Sequence, residues 1–125
     1  MCREPSMKIL VPRAAALALA LTWQLAFAHA SLQSSTPKNG STVASPPTEI
    51  RLKFNEALEP AFTSVKLIGP AGRELATEKA HLETGDPKTV VLPLPNLAGG
   101  AYKAQWSAVG HDGHRVKGEL SFTVK

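Results

Sequence analysis

The chain has 125 residues, with 14 Lys/Arg against 10 Asp/Glu, one cysteine and two methionines. Its formal net charge of +4 is weak and unclustered, which removes the case for nucleic-acid binding. Met1, Cys2 and Met7 all lie at the start, so a metal site built by the rest of the chain has nitrogen and oxygen donors alone.

Arg3, Lys8 and Arg13 give a basic opening, and the 15 residues Ala14 to Ala28 are almost wholly apolar and end in Ala26-Phe27-Ala28. A basic start, an apolar run and a small-x-small end read as a secretory signal peptide over residues 1–28. A spanning helix needs about 20 apolar residues, more than this run supplies. Two cleavage patterns compete, Ala26-Phe27-Ala28 before His29 and Ala28-His29-Ala30 before Ser31. The first is expected, giving an exported domain over residues 29–125. That span carries 11 Lys/Arg and 9 Asp/Glu, and it has no thiol, so its apolar core alone must hold it. Its 97 residues suit a single domain with a modest core.

In chain order, Ser31 to Ser35 is a first candidate strand. Ile50, Leu52 and Phe54 then alternate with Arg51 and Lys53, and Val65 and Leu67 flank Lys66. Arg73 to Ala80 is either a strand or an irregular segment. Thr89 to Leu94 is a further strand; Pro93 cannot donate to a ladder and therefore belongs at an edge or a strand end. Tyr102, Ala104, Trp106 and Ala108 alternate with polar residues, as do Leu120, Phe122 and Val124. Period-two alternation puts one set of side chains on each face of a half-buried strand. Proline and glycine clusters at 37–40, 46–47, 69–72, 85–87 and 99–100 mark the turns. About seven short strands without a helix predict an all-β, immunoglobulin-like antiparallel sandwich with Greek-key connections. Trp106, at the inward phase of its strand, reads as a core plug.

His29, His81, His111 and His114 lie beyond the leader. Cleavage after Ala28 makes His29 the first residue, with a free α-amine beside its imidazole. An α-amine titrates near pH 8, so a metal displaces its proton readily. The amine and Nδ1 then chelate one ion, a geometry that suits tetragonal Cu(II). In His111-Asp112-Gly113-His114, an extended backbone points Asp112 and His114 to one side. With His29 these residues offer three nitrogens and a carboxylate oxygen. On the same reading His111 faces away, and His81 is a surface residue in a polar stretch.

The pattern resembles the CopC family of periplasmic copper-binding, copper-resistance proteins. The resemblance runs from His29 through Ser34-Ser35-Thr36-Pro37-x-x-Gly40-Ser41 and Ile50-x-Leu52-x-Phe54-Asn55-Glu56. It continues through Gly100-x-Tyr102-x-x-x-Trp106 and closes with Asp112-Gly113-His114-x-x-x-Gly118-x-x-x-Phe122-x-Val124. It implies a Cu(II) site on His29, Asp112 and His114, with Glu56 as a weaker ligand or as a partner orienting His29. Some members also carry a methionine-rich Cu(I) site, which is not expected here. The implied protein is a monomeric copper carrier or buffer holding one Cu(II), with an inner-membrane copper transport protein as its partner. The rival is a small copper-dependent oxidative enzyme using an N-terminal histidine brace. Against it stand the small domain and the carboxylate of Asp112, which would fill the fourth equatorial position. A sandwich without metal is a third reading.

Overall fold

The computed structural model describes residues 29–125. The signal-peptide reading of residues 1–28 lies outside that range. Nine strands are present among the described residues: β1 Leu32–Thr36, β2 Ser41–Val43, β3 Glu49–Phe54, β4 Ser64–Ile68, β5 Glu74–Leu75, β6 His81–Glu83, β7 Asp86–Pro93, β8 Gly100–Val109 and β9 Arg115–Val124. A single 3-10 turn, Pro60–Phe62, precedes β4.

The strands form two sheets, one ordered β1-β3-β7-β6 and the other β2-β9-β8-β4-β5. The all-β sandwich is therefore as expected, with two departures. Nine strands replace about seven, because β2 and β6 have only three residues each and show no readable alternation; β5 is the two-residue strand within the Arg73 to Ala80 candidate. One pairing, β2 with β9, is parallel, with Ser41 opposite Phe122 and Val43 opposite Val124. After β1 the chain crosses to the other sheet, and β2 runs along its edge. Residues 85–87 also differ from expectation. Asp86 and Pro87 already belong to β7, which leaves Gly85, at φ 79°, as the turn residue. Pro93 sits at the end of β7 opposite Glu49, where a missing donor costs nothing in the ladder's middle.

The alternating residues meet between the sheets. Ile50, Leu52 and Phe54 of β3 and Val90 and Leu92 of β7 face Leu67, Ala104, Leu120 and Phe122, all essentially inaccessible to solvent. Each large side chain so buried contributes about 1.5–3 kcal/mol relative to exposure. Tyr102 stacks on Phe122 at 5.5 Å between ring centroids and donates its hydroxyl to the Ala98 carbonyl at 2.6 Å. Trp106 stands edge-on to Phe54 at 5.1 Å, the plug its strand phase predicts. It also lies over Gly118, its partner on β9, where a Cβ would come within 2.4 Å of the indole ring. The longest ladder is β8–β9, in register from Gly100–Val124 to Val109–Arg115. Its connecting turn, residues 110–114, projects from one end of the sandwich.

Candidate metal centre

The β8–β9 connection is a tight hairpin, not the extended segment expected for residues 111–114. Gly110 N–H donates to the His114 carbonyl at 3.1 Å, and Gly113 N–H donates to the Gly110 carbonyl at 3.0 Å. Gly113 has φ 84°, a left-handed conformation that glycine adopts without a Cβ penalty. A ladder closing at Val109–Arg115 leaves the chain five residues in which to reverse, which forbids extension. Asp112 and His114 still converge, by a different route. Asp112 Oδ1 accepts the His114 backbone N–H at 3.0 Å, an Asx-type turn that carries the second carboxylate oxygen onto the imidazole.

Asp112 Oδ2 lies 3.0 Å from His114 Nδ1 and 3.8 Å from His29 Nδ1. The two imidazoles meet edge to face with centroids 4.8 Å apart. One potential ligand atom from each of His29, Asp112 and His114 lies within 4.8 Å of the others, the single such trio among the described residues. All three residues are exposed. The backbone N–H of His114, and then its ring, hold the Asp112 carboxyl below the usual carboxylate range. Asp112 therefore stays an anion over a wider acid range than a free aspartate, as a metal donor must.

His29 is held there by Asn55. The Asn55 Oδ1 accepts the Ser31 N–H at 2.7 Å, its Nδ2 donates to the His29 carbonyl at 3.3 Å, and its backbone N–H donates to the Ser31 carbonyl at 3.1 Å. Between these anchors Ala30 is buried. Together the contacts lay residues 29–31 along the end of β3, beside the hairpin tip. In the sequence Asn55 stood only as the residue after a strand and as one position of the family resemblance. Nothing in its type announces that its amide grips a segment 24 residues earlier.

Glu56 stands outside the trio. Its Oε1 is buried with no hydrogen-bond partner, and it is so close to the backbone of Gly110 that a Cβ there would sit 1.8 Å from it. The same point is 3.1 Å from the Ala30 Cβ, so Glu56 lies beneath the N-terminal segment. The segment that follows braces the hairpin. Leu58 bridges to Gly110, Glu59 N–H donates to the Val109 carbonyl at 2.9 Å, and His111 N–H donates to the Ala57 carbonyl at 3.0 Å. His111 is exposed and is not one of the trio. His81 is exposed on β6 of the other sheet, opposite Val91.

A family model described as the CopC domain matches residues 32–125. The chain is similar to copper resistance protein C of Pseudomonas syringae pv. tomato, at 43% identity over 107 residues, covering 81% of this chain and 84% of the relative. It is also similar to the copper transport protein CutJ of Bacillus subtilis (strain 168), at 32% identity over 99 residues, covering 78% of this chain but 18% of that protein. Among solved structures, CopC from Methylosinus trichosporium OB3b superposes with a TM-score of 0.73 at 31% identity, covering 78% of this chain and 94% of that one.

Proposed function

The chain belongs to the CopC family, and from that premise we propose that it is a periplasmic copper-binding protein that carries one Cu(II) on His29, Asp112 and His114. The observation that carries this reading is the convergence of three donor residues from opposite ends of the chain onto one point. Copper is cargo here. Two imidazoles, a carboxylate held ionised and an α-amine form a borderline-to-hard donor set, which favours Cu(II). The amine becomes available if the leader is cut after Ala28, so cleavage there belongs to the same proposal. Residues 29–125 contain neither methionine nor cysteine, so Cu(I) has no soft donor and binds weakly.

Glu56 acts as a weaker ligand or as a support for His29. In favour of such a role is its buried, unpartnered Oε1 near Ala30, the residue next to His29. A carrier accounts better than an oxidative enzyme for Asp112, whose Oδ2 stands between the two histidines, where an oxygen-activating site needs an open position. The protein works as a monomer and exchanges copper with an inner-membrane copper transport protein. The similarity to a small part of a larger protein named for copper transport supports that partner. Competition titration of the exported chain tests the proposal. One Cu(II) per chain is expected, and binding no tighter than to a His29-free variant overturns it.

A further inference from the structure

The two sheets distribute their charges differently. On the four-stranded sheet the outward cations are matched: Arg51 bonds both Glu49 and Glu83, and Lys53 and Lys88 lie beside Asp86. On the outer face of the five-stranded sheet, Lys66, Lys103, Arg115 and Lys117 are all exposed and form no ion pair among the described residues. That face carries two carboxylates: Glu119, taken by the Gln105 amide at 3.0 Å, and Glu74 at the β5 edge, opposite Ile68. Four cations against two carboxylates leave this face with an excess of positive charge, and Glu74 lies outside the recess that three of the cations ring.

The face also has a shape. A shallow recess of about 320 Å3 is ringed by Lys66, Arg115 and Lys117, with Ser64, Gln105 and Ser107 between them and no carboxylate in its wall. The strand register builds it: Ser64 faces Ser107, Ser107 faces Lys117, and Lys66 faces Gln105. Arg115 Nη1 donates to Ser107 Oγ at 2.8 Å, which fixes the guanidinium at the rim. Every polar side chain on the wall can donate a hydrogen bond, and three of them are cations.

We propose that this face docks an acidic segment of a partner protein, with Asp or Glu side chains entering the recess. A concave, donor-lined wall accepts a single projecting carboxylate, whereas a planar sheet of lipid headgroups cannot enter it. Arg115 directly follows His114, so a segment seated in the recess lies against the hairpin that carries Asp112 and His114. The docking itself needs no copper. Its failure therefore leaves the copper reading untouched, and the converse also holds.

The backbone amide shifts of Ser107, Arg115 and Lys117, followed by NMR, report occupancy of the recess. The copper-free exported chain is titrated at low ionic strength with a hexaglutamate peptide, and in parallel with hexaglutamine and with phosphatidylglycerol vesicles. A saturable shift of these amides with hexaglutamate alone is expected. It should fade towards 1 M salt, where the screening length falls to about 3 Å. The double reversal Lys66→Glu/Lys117→Glu should weaken binding roughly tenfold or more, because two attractions become repulsions. The same charge change at Lys79→Glu/Lys88→Glu, off this face, should leave it nearly unchanged. Unaltered copper affinity and circular dichroism confirm that the reversed variant is folded, and Lys66→Gln/Lys117→Gln replaces it if it is not. Equal weakening by the two double reversals, or a response to vesicles without one to hexaglutamate, overturns the proposal.

Discussion

Asn55 holds Ser31 from both sides: its side-chain Oδ1 accepts the Ser31 N–H at 2.7 Å, and its backbone N–H donates to the Ser31 carbonyl at 3.1 Å. The amide thus extends the β1–β3 pairing past the last regular pair, Leu32–Phe54, and sets where His29 stands.

If that grip positions a copper ligand, Asn55→Ala should weaken Cu(II) binding by about 10–100-fold, the usual scale for residues that orient a ligand without touching the metal. The global stability loss should be small, about 1 kcal/mol, since these hydrogen bonds are exposed. A competition titration and a thermal melt separate the two effects. An altered paramagnetic resonance spectrum at full copper loading would mark a displaced nitrogen rather than a loosened fold.

The ligands should rank in a fixed order. His114→Ala should cost more than about 100-fold in affinity, beyond the range typical of supporting residues. His111→Ala should cost little, because His111 lies outside the converging trio and engages Ala57 through its backbone alone. Copper retained by the His114 variant but lost by the His111 variant would reverse the assignment. Saturating copper, at about 100 times its dissociation constant, should stabilise the native chain by roughly 2.7 kcal/mol.

Asp112 offers a test of the hairpin in the copper-free state. Its carboxyl is held low, chiefly by the His114 backbone N–H and then by the ring. A depressed folded-state value means the stabilisation is present above the unfolded value, near pH 3.9, and is lost as pH falls through the folded one. Carboxyl titration by NMR should therefore place Asp112 below free aspartate. His114→Ala should relax the shift only partly, since the backbone donor survives. Gly113→Val, which opposes φ 84°, should relax it further by opening the turn. A full return to the free value in His114→Ala would show that the turn is not formed.

Gly118→Ala should destabilise the sandwich by about 1–3 kcal/mol. The added methyl meets the Trp106 ring at 2.4 Å, and Phe54 blocks the ring's retreat. Denaturant unfolding measures this, and copper affinity in the surviving folded fraction should be unchanged.

The strands around Ile50–Phe54, Tyr102–Ala108 and Leu120–Val124 were legible because each has one buried face, and burial writes a period of two into the sequence. The short strands β2 and β6 and the parallel β2–β9 pairing were not, since pairing over such short spans depends on where the rest of the chain lies. Three of the candidate donors were legible from residue type and position. The shape of their loop was misread, although Asp112-Gly113 is itself a hairpin signature, and it prevails over the extended alternation of the flanking strands. Asn55 was illegible because its amide acts across space on residues that no spacing rule connects to it.

The central claim is that the α-amine of His29 is a copper donor. It is tested most directly by competition titration of Cu(II) against two chains, one beginning at His29 and one with a single alanine before it. The extra residue turns the basic amine into an amide, a poor donor unless deprotonated, while leaving the His29 imidazole, Asp112 and His114 in place. The account predicts that the extended chain binds Cu(II) as poorly as His114→Ala. Equal affinity in the two chains would contradict it.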